Sequence, residues 1–167
     1  MVNKSLFMIA LVFSSSVFAD ENYLQEHLTF ERLCLEGKDF HDSRDRTKVI
    51  IPAFRSCYLA GVGRFYGGRG VPKDPAKGVR FLQMACDNLT VSNVDQYSIK
   101  SCTLLGQIYY CGDKETPGMW GAEMGDIASK YNKEQALKYF AKACDLGDSE
   151  SCNLKMAVMN NASCYRN

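Results

Sequence analysis

Residues 132–152 read NKEQALKYFAKACDLGDSESC. Apolar side chains recur there at steps of three and four, the spacing of an amphipathic helix. Asn132 stands where an N-cap belongs, and Gly147 stands where a helix C-terminus takes a glycine. Residues 74–87, DPAKGVRFLQMACD, repeat the pattern. Val79 meets Leu137, Phe81 meets Tyr139, Leu82 meets Phe140, and Ala85-Cys86 meets Ala143-Cys144. Asp74 takes the cap and Pro75 the first turn, where its missing N–H costs nothing. A fainter copy, NYLQEHLTFERLCLEG from Asn22, places Phe30, Leu33 and Cys34 in register. Glu26 and His27 interrupt its apolar stripe.

A second kind of helix precedes each clear copy. SCYLAGVGRFYGG from Ser56 aligns with SCTLLGQIYYCG from Ser101, setting Cys57 on Cys102, Gly61 on Gly106 and Gly67 on Gly112. A glycine inside a helix costs about 1 kcal/mol relative to alanine, a cost that makes sense where another helix approaches closely. A last segment, SCNLKMAVMNNASC from Ser151, repeats the Ser-Cys opening but carries Met156 at the glycine position. It reads as a terminal, capping helix.

The first nineteen of the 167 residues differ from the rest. Lys4 gives a positive start, LFMIALVF an apolar run, and Val17-Phe18-Ala19 the small-x-small ending of a cleaved export signal. The expected mature chain begins at Asp20, and no later apolar run approaches the ~18 residues that span a bilayer. Loss of Lys4 leaves 19 basic against 19 acidic residues. A neutral chain without a basic stripe argues against nucleic acid as a partner. All 8 cysteines lie in the exported part, and an even count in a short exported chain points to disulfides. No C-x-x-C pair is present, and His27 and His41 are spaced like neither a zinc site nor a relay. No metal and no cofactor is expected.

The glycine, Gly-x-Gly-Val, Lys-Asp and Ala-Cys elements recur in order in GRGVPKDPAKGVRFLQMACD and, in part, in SCTLLGQIYYCG with YNKEQALKYFAKACDLGDSESC. Together they resemble the Sel-one-like repeat, a relative of the tetratricopeptide repeat. The cysteine at each helix boundary looks most like the exported cysteine-rich subgroup known from Helicobacter. The resemblance implies an all-α, short right-handed solenoid of antiparallel helix pairs. It divides the chain into a signal peptide (1–19) and one solenoid domain (20–167). Within the domain are an N-terminal capping helix at about 22–36, a first repeat at about 52–88, a second with an insertion at about 98–147, and a C-terminal capping helix at about 149–164. In such a stack the end of one repeat's second helix lies beside the start of the next repeat's first. The implied disulfides are therefore Cys34 with Cys57, Cys86 with Cys102 and Cys144 with Cys152, leaving Cys111 and Cys164 for a fourth. A rival scheme joins helices within a repeat, Cys57 with Cys86 and Cys102 with Cys144.

The second unit departs from the pattern. After Gly112 runs DKETPGMWGAEMGDIASKYN, which makes it about thirteen residues longer than the first. Met119, the only tryptophan Trp120, and Met124 are candidate partner-binding residues, since long loops in compact domains are often functional. The alternative is that Trp120 folds back to seal the core. The resemblance implies a non-enzymatic, monomeric module that holds another protein on its concave face, and some exported relatives neutralise secreted toxins, phospholipase effectors among them. Two other readings stand beside it. One is the penicillin-binding or weak β-lactamase-like activity attributed to the cysteine-rich subgroup, but no serine here has a lysine three positions later. The other is a structural adaptor of the envelope or peptidoglycan, for which Tyr109, Tyr110 and Tyr139 would have to face outward rather than fill the core. Glu115, Glu123 and Glu134 read as solvated surface charges.

Overall fold

The computed structural model describes residues 4–41, 44, 47, 49–92, 94–111 and 132–162. Six helices are seen among them: α1 (Lys4–Glu36), α2 (Ala53–Tyr66), α3 (Pro75–Asp87), α4 (Gln96–Cys111), α5 (Lys133–Asp145) and α6 (Ser149–Met159). A short antiparallel ribbon, β1 (Phe40–His41) with β2 (Val49–Ile51), links α1 to α2. The ribbon was not expected from the sequence. Two boundaries also differ: α1 runs back to Lys4 rather than starting near 22, and α6 ends at Met159 rather than 164.

Each helix packs chiefly on its sequence neighbours, and α2 also reaches α4. That is the contact pattern of a solenoid, in which each pair stacks only on the next. The caps are those the sequence marks. Asp74 accepts a hydrogen bond from the Lys77 N–H, and Asn132 one from the Gln135 N–H, each at 3.0 Å. Leu146 caps α5, and Gly147 follows at φ +99°, where its N–H reaches the Cys144 carbonyl. Only a residue without Cβ takes that left-handed turn freely. Pro52 caps α2 without a side-chain bond, so Asp39 from the ribbon accepts from the Ala53 N–H instead.

The core is built from the apolar stripes of the paired helices. Phe65, Val79, Leu82, Leu105 and Phe140 are fully buried and join Tyr109, Tyr110, Tyr139 and Val158 in one cluster. A second cluster, Cys34, Cys57, Ala60, Phe81 and Ala85, sits where α1 meets α2 and α3. Each large apolar side chain so buried contributes roughly 1.5–3 kcal/mol. The repeat glycines explain themselves here. A Cβ on Gly61 would lie 2.7 Å from Leu82, and one on Gly106 would lie 2.6 Å from the Phe140 ring. Leu82 and Phe140 occupy the same place in their units, so the same knob presses on the same bare backbone twice. At the third such position Met156 is half exposed, and no following helix packs on it among the described residues.

Three disulfides join successive units: Cys34–Cys57, Cys86–Cys102 and Cys144–Cys152, with Cα–Cα distances of 4.7, 5.0 and 4.7 Å. Each links a trailing helix to the next leading one, not the two helices of one pair. Cys111 is also disulfide-bonded, while Cys164 lies outside the described residues.

Candidate binding face

The leading helices α2, α4 and α6 line up on one side of the stack. On α2 the core takes Cys57, Ala60, Gly61 and Phe65, so the helical period turns Tyr58, Val62 and Tyr66 to a flanking face, where Tyr58 and Val62 stay half-buried against the edge of the core and Tyr66 is exposed. On α4, Cys102, Leu105, Gly106 and Tyr109 go inward, Lys100 and Gln107 face out, and Leu104 stays half-buried between them against the edge of the core. These side chains, with Thr103 and with Asp148 and Glu150 at the start of α6, enclose an open hollow of about 320 Å³. A second hollow of about 320 Å³ adjoins it between the starts of α4 and α6 and shares Lys100 and Asp148. The two form one groove running along the leading helices.

The groove has an apolar and aromatic wall and a polar one. Tyr58 and Tyr66 have their hydroxyl pKa raised by burial, for Tyr58 with help from the Tyr66 charge, so both are neutral donors at physiological pH. Opposite them, Asp148 caps α6 by accepting from the Ser151 N–H at 3.1 Å and takes the Thr103 hydroxyl at 2.9 Å. Burial pushes the Asp148 carboxyl up, but its hydrogen bonds from Ser151 and Thr103 outweigh this and hold it below its ordinary range. It is therefore a fixed negative charge that also ties α4 to α6. Asp95 plays the matching part at α4, accepting from the Tyr97 and Ser98 N–H groups at 2.8 and 3.1 Å. At the rim the Arg55 guanidinium lies 4.0 Å from the Tyr97 ring centroid, a cation–π contact that keeps both in place. This surface offers a partly apolar footing beside a carboxylate held in place by its hydrogen bonds.

Other residues singled out in the sequence fall elsewhere. Tyr109, Tyr110 and Tyr139 are buried, and the Tyr109 and Tyr139 rings stack at 5.7 Å with Gln83 donating to the Tyr109 hydroxyl at 3.2 Å. They are core, not an exposed glycan platform. Glu134 is exposed in the first turn of α5. Met119, Trp120 and Met124, with Glu115 and Glu123, lie outside the described residues. Among the described residues no group of three or more His, Cys, Asp or Glu side chains could hold a metal ion, and no helix is long and apolar enough to cross a membrane.

One arrangement escaped the sequence reading. His27 and Glu31 are buried on α1, with His27 Nε2 3.0 Å from Glu31 Oε1. Arg64 of α2 donates through Nε to the same oxygen, and Lys77 of α3 donates to Oε2 at 2.7 Å. The signal was present as two polar residues one turn apart on a stripe otherwise apolar.

The long connection in the second unit leaves the repeat intact around it. In the first unit the Asp74 N–H donates to the Arg64 carbonyl at 2.7 Å, and in the second the Asn132 N–H donates to the Tyr109 carbonyl at 2.9 Å. These are equivalent positions, so the chain leaves and re-enters the stack at the same points in both units.

Comparison with known families agrees with that geometry. The family model described as Sel1 repeat matches residues 55–88 and residues 119–148. The first match takes α2 from Arg55 onward and all of α3. The second takes the end of the long connection and α5 but not α4, as expected when extra residues separate two halves of a contiguous pattern. No curated protein and no solved structure matches the chain.

Proposed function

We propose that this chain, with its two Sel1 repeats stapled by disulfides, is an exported module that binds another protein along the α2–α4–α6 groove. Sel1 repeats are in general protein-interaction modules, and disulfides belong to a non-reducing compartment. The groove carries the reading: α2 and α4 hold Tyr58, Val62, Leu104 and Gln107 on one partly apolar face, and Asp148 and Glu150 at the start of α6 close it. The signal-like first nineteen residues support export to the periplasm or beyond. Within this class the role we favour is immunity, in which the module occupies a secreted toxin or phospholipase effector before it harms the producing cell's envelope. Small size, neutral charge and covalent staples suit a protein that must stay folded outside the cytoplasm and bind one target. The Trp120 segment is a second contact in this proposal.

The test is capture from envelope and secreted fractions under oxidising conditions, using the wild-type protein, Leu104→Arg and Trp120→Ala in parallel. One toxin or lipase retained by the wild type and lost by Leu104→Arg, at unchanged melting temperature, supports the groove. Equal retention by Leu104→Arg refutes it. Several envelope proteins held weakly and alike by all three would make the chain a general adaptor instead.

A further inference from the structure

Residues 20–31 of α1 are held to the stack in an unusual way. Between Asp20 and Glu31 only two residues are buried, and they are His27 and Glu31. Tyr23 and Leu28 are exposed, and Tyr23 contributes only a ring under Arg69, 5.2 Å from the guanidinium carbon. Residues 33–34 are anchored differently, by buried Leu33 and by the Cys34–Cys57 bridge. So residues 33–34 dock through apolar contact and a covalent bond, whereas residues 20–31 dock mainly through a polar cluster, with half-buried Phe30 as their contact with the apolar cluster around Cys34–Cys57.

That cluster is tight. The His27 ring lies against bare backbone, since a Cβ on Gly63 would fall 2.3 Å from its Cε1 and 2.4 Å from its Nδ1. Its Nε2 faces Glu31, whose single carboxylate also holds Arg64 of α2 and Lys77 of α3. With His27 neutral, the four side chains carry one excess positive charge. Protonating His27 adds a second in a site shut off from water and places a new Nδ1–H against the α2 backbone. We propose that His27, Glu31, Arg64 and Lys77 form an acid-sensitive latch, which lets residues 20–31 of α1 swing away from α2 and α3 while Cys34–Cys57 acts as the pivot.

The direction of the linkage follows from the same contacts. Burial holds the His27 imidazole below its ordinary 6.5, against the pull of Glu31 and with the help of Arg64 and Lys77. The docked state thus binds fewer protons than the released one. Docking strength is fully present above the released-state value and is lost as pH falls below about 6.5, with a limiting slope of about tenfold per pH unit for one proton. Burial also pushes Glu31 up, but hydrogen bonds from Arg64 and Lys77 outweigh it and leave its carboxyl below its ordinary 4.5. Its contribution is lost only at more acid pH, so the two windows separate. A compartment that follows the pH of the surroundings would work the latch; the inference concerns α1 and stands whether or not the groove binds a partner.

The experiment is hydrogen exchange by mass spectrometry on the oxidised protein from pH 7.5 to 5.0, with rates normalised to the unstructured chain at each pH. Protection of residues 20–31 should fall steeply below pH 6.5, while that of α4 and α5 stays level. In His27→Gln, which keeps a donor to Glu31 but does not titrate, protection of 20–31 should be flat over this range. Loss of protection in parallel in wild type and variant would assign the effect to carboxylates and overturn the proposal, as would wild-type protection unchanged to pH 5.0. Imidazole NMR on the wild type gives an independent reading should the variant not fold. His27 must titrate below the ordinary imidazole value of 6.5 and move the amide shifts of α1 with it; a His27 that titrates at or above that value would also overturn the latch.

Discussion

Substituting Gly106 by alanine sets two effects against each other, and the structure says which is larger. Alanine favours a helix interior over glycine by about 1 kcal/mol. The new Cβ, however, would lie 2.6 Å from Phe140 Cδ1 and Cε1 and 2.9 Å from Cγ, distances that require something to move. Phe140 is wholly buried in the main core cluster, so its rigid ring has nowhere to go without pushing α5 off α4. Overpacking of a filled core costs about 1–3 kcal/mol. The net expectation is a loss centred on about 1 kcal/mol and reaching about 2 kcal/mol, read as a lower urea midpoint of the oxidised protein with an unchanged slope. Gly61→Ala should be destabilising as well, because its Cβ would meet Leu82 Cγ at 2.7 Å and the Leu82 backbone nitrogen at 3.0 Å, and Leu82 is fully buried. Met156→Ala, at the equivalent half-exposed position, should stay within about 0.5 kcal/mol. A Gly106→Ala protein as stable as wild type would refute the claim that the repeat glycine exists to admit the facing ring.

Further outcomes follow from other contacts. Reduction should lower the melting temperature sharply, since closing the 8-residue separation of Cys144–Cys152 is worth about 2.5 kcal/mol and the 23-residue separation of Cys34–Cys57 about 3.4 kcal/mol in the chain-entropy account; equal melting of both forms would remove the staple argument. Asp148→Ala removes the cap of α6 and the partner of the Thr103 hydroxyl, for a loss of about 1 kcal/mol at neutral pH. Because the Asp148 carboxyl sits below its ordinary 3.8, this stabilisation is present above that pH and fades as pH drops beneath it, so acid unfolding curves of wild type and variant should converge there. Trp120→Ala should weaken partner binding at unchanged melting temperature; a fall in melting temperature would place Trp120 in the core.

Much of the architecture was legible because repeats state their geometry twice. Glycine at 61 and 106, cysteine at the helix ends and aspartate or asparagine at the caps each have a local cause, and each recurs with the same neighbours. The disulfide pairing followed from stacking order, not from the cysteines themselves. The His27 cluster was illegible for the opposite reason. Glu31 meets Arg64 and Lys77 from positions 33 and 46 residues away, and nothing in a single chain's pattern marks three exposed-looking charges as partners. The β1–β2 ribbon escaped as well, being too short to show an alternation. For the groove, the sequence marked which helices lead each pair, yet not which of their outward residues would share a hollow, since that depends on how α6 is drawn onto α4 by Thr103 and Asp148.

The paired hydrogen bonds that close each unit, Asp74 to Arg64 and Asn132 to Tyr109, have a consequence for how such a protein changes over time. They span ten positions in one unit and twenty-three in the other, and by loop-closure entropy that difference costs only about 0.7 kcal/mol. A clasp so indifferent to what it encloses makes the connection an open cassette. Sequence can be added to or removed from it at little cost in closure, while the helices on either side keep their packing.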